Sequence, residues 1–113
     1  MPWLRIPGLP TAAQWENGKI IRTQIKGKDL IVVRHQDGFH ALPAKCPHAG
    51  GPLDGGWCTE EGAVVCPWHR YEFDLATGKN ITGEGYNVQR YDVELRSNGF
   101  FISWPEKKWW DSW

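Results

Sequence analysis

The chain is short of several things that would place it quickly. It has three cysteines and one methionine in 113 residues, and no run approaching the roughly 20 apolar residues that cross a bilayer as a helix. No long stretch repeats apolar residues at helical spacing, so no long amphipathic helix is expected. Charge of one sign is missing too: 13 Lys and Arg balance 13 Asp and Glu. That balance removes any global attraction to nucleic acid or to an anionic membrane surface. An odd, sparse cysteine set excludes a disulfide scaffold of the secreted kind, which points to a cytoplasmic protein that uses thiols as ligands. The start, Met1-Pro2-Trp3-Leu4-Arg5, has no apolar segment of signal-peptide length, so a soluble protein is expected. At this length a single domain buries roughly 60–70% of its unfolded surface, enough for a core without staples.

What is present reads as β structure. Gly27-Lys28-Asp29 leads into Leu30-Ile31-Val32-Val33-Arg34, and Gln36-Asp37-Gly38 turns the chain into Phe39-His40-Ala41-Leu42. Asp-Gly there is expected to supply the positive φ of a tight hairpin turn. A second hairpin is clearer. Tyr91, Val93 and Leu95 alternate with Asp92, Glu94 and Arg96, the period of a half-buried strand. Ser97-Asn98-Gly99 turns it, Phe100 to Trp104 returns, and Pro105 ends the run. Thr11-Ala12-Ala13-Gln14 predicts a short turn. There are no internal repeats.

Between the hairpins the periodicity stops and glycine and proline accumulate. Residues 43 to 58 contain Cys46-Pro47-His48, then Gly50, Gly51, Gly55, Gly56 and Cys58; after Ala63-Val64-Val65 comes Cys66-Pro67-Trp68-His69. The pattern is Cys-x-His, a gap of 17 residues, then Cys-x-x-His. Two such loops brought together present two thiolates and two imidazoles. Zinc accepts that set in a tetrahedron, but zinc fingers usually place both cysteines on one element and both histidines on the other. A mixed pair on each loop suits a binuclear site, each loop giving its cysteine to one metal and its histidine to the other. Two ferric ions, two sulfides, two thiolates and neutral imidazoles sum to zero, and adding an electron gives minus one. Four thiolates would start two charges lower and resist the electron in a low-dielectric site. Histidine in place of two cysteines accordingly raises the potential of such a cluster to about −150 to +300 mV.

Cys46-Pro47-His48 and Cys66-Pro67-Trp68-His69, with Tyr71-Glu72-Phe73-Asp74 and Thr77-Gly78 after them, resemble the Rieske family over roughly residues 3 to 103. The resemblance implies an all-β fold of antiparallel sheets, a sandwich or barrel with a small loop-built tip holding one [2Fe-2S] cluster. It implies that Cys46 and Cys66 bind the inner iron and that His48 and His69 bind the outer one near solvent. It implies one domain over 1–105, with the cluster region at about 43–86 and a tryptophan-rich tail over 106–113.

Neighbouring residues narrow the resemblance. Rieske proteins of respiratory complexes carry a disulfide between the two loops, and the corresponding positions here are Gly51 and Trp68. They also place a serine and a tyrosine whose hydroxyls donate to sulfur where this chain has Tyr71 and Phe73. Fewer donors stabilise the reduced state less, so the low end of the range is expected. The low-potential group resembles the soluble ferredoxins that serve bacterial oxygenases, and the small Rieske subunits of nitrite-reductase-type enzymes. Arg70 stands where many members have glycine. The stretch Asn80 to Tyr86 lacks the proline that often marks a third, covering loop, which predicts a more mobile loop there.

The functional expectation is a one-electron carrier without catalytic residues, passing electrons from a reductase, expected to be flavin-dependent, to a terminal oxygenase or reductase. Nucleic acid and membrane are not expected partners. The alternatives are the small-subunit role and a structural zinc-binding interaction module. His35 and His40 read as surface or cross-strand residues, and Cys58 as a buried or half-buried thiol. Trp104, Trp109, Trp110 and Trp113 crowd the last ten residues, either folding back on their own sheet or docking a partner.

Overall fold

The structure, a computed structural model, describes residues 3–46, 51–68, 70–82 and 87–104. Among the described residues, nine strands form two antiparallel sheets: β1 (Trp3–Arg5), β2 (Ile20–Ile25), β3 (Lys28–His35), β4 (Gly38–Pro43), β5 (Trp57–Cys58), β6 (Ala63–Val65), β7 (Glu72–Asp74), β8 (Tyr91–Arg96) and β9 (Gly99–Ser103). The larger sheet runs β1-β9-β8-β4-β3-β2 and the smaller β5-β6-β7. Single-turn 3-10 helices at Ala12–Gln14 and Leu53–Gly55 are the helical elements among the described residues.

The run Leu30-Ile31-Val32-Val33 in β3 is buried throughout. Because side chains alternate across a strand, it serves two cores at once. Leu30 and Val32 pack with Trp15, Ala41, Tyr91, Phe100 and Ile102. Ile31 and Val33 face the other way, onto Leu42, Ala44, Leu53, Val64, Phe73 and Leu75. The first core is closed by aromatic edges: the Trp15 ring lies 5.2 Å from Phe39 and 5.4 Å from Phe100. Its indole N–H donates to the Lys19 carbonyl at 2.9 Å. The second core lies between the larger sheet and the small one, and both Cys46 and Cys66 belong to it.

Both expected hairpins form, with differences in detail. In the first, His35 pairs with Gly38, and the positive φ falls on Gln36 (56°), not on Asp37-Gly38. Gly38 already belongs to the strand. A further hairpin lies upstream of what the sequence pattern marked. Lys26 (φ 49°) and Gly27 (φ 81°) supply the two left-handed residues of a two-residue turn joining β2 to β3. In the second, Arg96 pairs with Gly99, and the return strand stops at Ser103, ahead of Pro105. The last described tryptophan, Trp104, stacks on Tyr91 of its own sheet with ring centroids 5.4 Å apart. Residues 106–113 lie outside the described residues.

Candidate metal centre

The two loops that carry the expected ligands are built alike. In the first, the Cys46 N–H donates to the Gly51 carbonyl at 2.8 Å; in the second, the Cys66 N–H donates to the Tyr71 carbonyl at 2.8 Å. Each cysteine thus opens a six-residue loop closed by one backbone hydrogen bond. The first is braced further by Leu53 N–H to Ala44 O at 2.8 Å and by the bridge between Lys45 and Pro52. The second hangs between β6 and β7, whose pairing of Val65 with Glu72 sets its width. His48 and His69 fall within these loops in sequence and lie outside the described residues.

The loops converge on their sulfurs. Cys46 is 1% exposed and Cys66 0%, and neither is in a disulfide. The Cys46 thiol and the Trp68 backbone amide both lie beside Cys66 Sγ. Burial pushes the Cys66 thiol up, the adjacent Cys46 thiol pushes the same way, and the Trp68 N–H pulls it down. Gly51 comes closest. A Cβ placed there would stand 3.1 Å from Cys66 Sγ and 2.9 Å from the Trp68 ring. Gly56 is equally constrained, since a Cβ would fall 1.7 Å from the Val65 carbonyl oxygen.

This donor set fits a thiolate-held metal cluster. Two free, buried sulfurs from separate loops lie side by side, and a glycine lets the loops approach each other. Among the described residues no group of three or more potential metal ligands assembles, the two histidines being outside them.

The remaining candidates sort to structural roles. His35 Nε2 meets the Glu60 carbonyl at 2.8 Å, tying β3 to the turn before β6. His40 pairs across strands with Val33 and Asp92, its Nδ1 buried with no hydrogen-bond partner among the described residues. Cys58 is half-buried, its thiol 3.4 Å from the Thr59 carbonyl. Tyr71 packs on the core around the cysteines and Phe73 is wholly buried within it. At the third loop Asn80 N–H donates to Asn87 Oδ1 at 2.9 Å and Thr82 N–H to Asn80 Oδ1 at 2.9 Å, pinning the base. Residues 83–86 lie outside the described residues, and the expected mobility of this loop falls there.

Residues 9–92 match the family model of the Rieske [2Fe-2S] domain. The chain belongs to the Rieske family. Its cofactor is one [2Fe-2S] cluster of the Rieske type. It is 40% identical over 88 residues to apoptosis-inducing factor 3 of Homo sapiens, covering 77% of this chain and 14% of that protein. It spans 38% of the length of a human Rieske domain-containing protein. In structure it is similar to the ferredoxin of carbazole 1,9a-dioxygenase from Nocardioides aromaticivorans, with a TM-score of 0.78 and 27% identity over 91% of this chain and 98% of that one. It shares the fold of a putative NADH-dependent nitrite reductase small subunit from Mycobacterium tuberculosis, with a TM-score of 0.78 at 17% identity, over 94% of this chain and 97% of that one. The fold is the curled antiparallel arrangement of these Rieske ferredoxins. No helix among the described residues is long and apolar enough to cross a membrane.

Proposed function

We propose that Cys46 and Cys66 hold the inner iron of the cluster, that His48 and His69 hold the outer one, and that the domain of residues 1–105 carries single electrons from a cytoplasmic, flavin-dependent reductase to a terminal oxygenase. One observation carries the ligand assignment: two buried, unbridged thiols meet at the mouths of two loops closed by the same hydrogen bond. The bound cluster supplies a one-electron couple. The protein's part is to keep both thiolates dry, to hold the loops at fixed separation, and to keep the Trp68 amide beside Cys66 Sγ. Pro47 and Pro67 follow each cysteine and stiffen the backbone there. Similarity over almost all of the carbazole dioxygenase ferredoxin supports the oxygenase-ferredoxin role over the nitrite-reductase small subunit, whose likeness is one of fold.

Isolation of a red-brown protein with acid-labile sulfide tests the assignment, and Cys46→Ser or Cys66→Ser is expected to abolish the colour. A colourless wild type that binds one zinc would support the zinc module in its place. A redox titration is expected to give a midpoint near about −150 mV, the low end for histidine-ligated clusters, because Phe73 offers sulfur no hydroxyl. A midpoint well above zero would exclude the low-potential role. Reduction of cytochrome c, driven by NADH with candidate flavin reductases, identifies the donor.

A further inference from the structure

The residue that joins the two loops is neither a cysteine nor a histidine. Trp68 is 50% exposed, an unusual position for so large an apolar ring two residues from a buried thiol. Its surroundings explain the exposure. The ring lies directly over Gly51 on the opposite loop, so close that a Cβ there would reach 2.9 Å from both Cγ and Cδ2. The same missing Cβ would stand 3.1 Å from Cys66 Sγ. The Trp68 backbone amide lies beside that same sulfur. Contacts therefore run without a break from one cysteine to the other: Cys46 N–H to Gly51 O, and Gly51 against both the Trp68 indole and Cys66 Sγ.

We propose that Trp68 and Gly51 form a ring-on-backbone clamp that locks the two ligand loops together, sets the separation of Cys46 and Cys66, and shields the cysteine side of the cluster from water. The proposal rests on the ligand assignment above. Trp68 is a positioning residue in this reading: it acts on the cluster through Gly51 and the cysteines. Glycine is required beneath the ring, because an added methyl would push the indole off. The clamp is made by packing, in a region where the described cysteines form no disulfide. Burying one face of an indole against backbone removes apolar area from water and excludes solvent from what lies beneath.

The geometry offers a test that separates clamping from every other use of Trp68. Its Cβ is one bond from Cγ, which bounds the Cβ–Cβ distance between positions 51 and 68 near the 3.5–4.5 Å a disulfide spans. In the double variant Gly51→Cys/Trp68→Cys, oxidised glutathione takes two electrons from the new thiol pair, leaving a disulfide and two reduced glutathiones. The readout is the half-life of the cluster's visible absorbance after dilution of the holoprotein into an iron chelator. Trp68→Ala is expected to shorten it about tenfold to 100-fold, the range for residues that support metal ligands, and Gly51→Ala to shorten it in the same direction. Trp68→Phe keeps a ring over Gly51 and falls between. The oxidised double variant regains most of the wild-type lifetime and loses it again on reduction with dithiothreitol, which leaves the wild type unchanged.

A Trp68→Ala lifetime within about twofold of wild type, or an oxidised double variant no longer-lived than its reduced form, overturns the clamp. If Trp68→Ala loads no cluster at all, Gly51→Ala and the oxidised double variant still decide it. Failure of the underlying assignment looks different: the cluster would survive in Cys46→Ser, and the clamp would fall with it.

Discussion

Arg70 occupies the position where the family resemblance pointed to glycine, and its backbone shows why glycine suits it. Its φ is 58°, in the left-handed region that costs a residue bearing a Cβ about 1–2 kcal/mol. Arg70→Gly removes that strain and adds freedom to the unfolded chain, so a net gain of up to about 1 kcal/mol is expected. Arg70→Val moves the other way, because β-branched residues tolerate positive φ least. Denaturant midpoints of the holoprotein check both. A second residue-scale consequence concerns His40. Burial holds its imidazole below the ordinary value, aided by Arg90 and His35 and opposed by Asp74. The unfolded chain takes up this proton near its reference pKa of about 6.5, at a pH where the folded chain does not. His40 therefore contributes fully above about pH 6.5 and its contribution is lost as pH falls toward the lower folded pKa. Urea midpoints at pH 7.5 and 5.5 should fall more in the wild type than in His40→Gln. An equal fall in both would contradict the burial argument.

At the scale of elements, the small sheet and the 3-10 helix before it leave little freedom. Gly56 links Leu53–Gly55 to β5, and its absent side chain is the space the Val65 carbonyl fills. Gly56→Ala must displace β6, the strand that ends one residue before Cys66. A loss of more than about 2 kcal/mol is expected, at the severe end for a single substitution, together with reduced cluster content by iron assay. The ion pairs that tie β2 to the tip are weaker. Arg22 reaches Asp29 at 3.0 Å and Asp54 at 3.2 Å, but half of its side chain is in water. Arg22→Ala is expected to cost no more than about 1 kcal/mol and to matter less in high salt, which thermal melts at two ionic strengths would read.

For the molecule as a whole, the two cores divide the consequences of losing the cluster. The core around Trp15, Leu30, Val32 and Phe100 contains neither cysteine, whereas the one around Ile31, Leu53, Val64 and Phe73 contains both. With the cluster on the proposed cysteines, removing iron is expected to loosen the second core first, since metal binding contributes directly to folding where its ligands are buried. Hydrogen exchange on the chelated protein is expected to show lost protection at the amides of Cys46 and Cys66, with β3 and β9 still protected. Uniform loss across both cores would mean that they fold as one unit.

What the sequence by itself determined were the parts with local causes. Alternation in Tyr91–Arg96 and the apolar run of Leu30–Val33 made strands legible, and glycine with asparagine or aspartate marked their turns. Cys46, His48, Cys66 and His69 stood out as candidate ligands because soft donors at short spacing are rare and because the loop pattern resembles one family. The fold brings the two cysteines together, and the two histidines lie outside the described residues. Strands β1, β2 and β5 were not legible. They are short or half-exposed, and they become strands only because β9, β3 and β6 offer them a hydrogen-bonding edge. Trp15 gave no periodic signal either, yet it plugs a core. The contact of Trp68 with Gly51 across 16 intervening residues also required the folded chain. Ligand chemistry is written in residue types and near spacing. Which ring covers which backbone depends on where two loops meet, and only tertiary packing decides that.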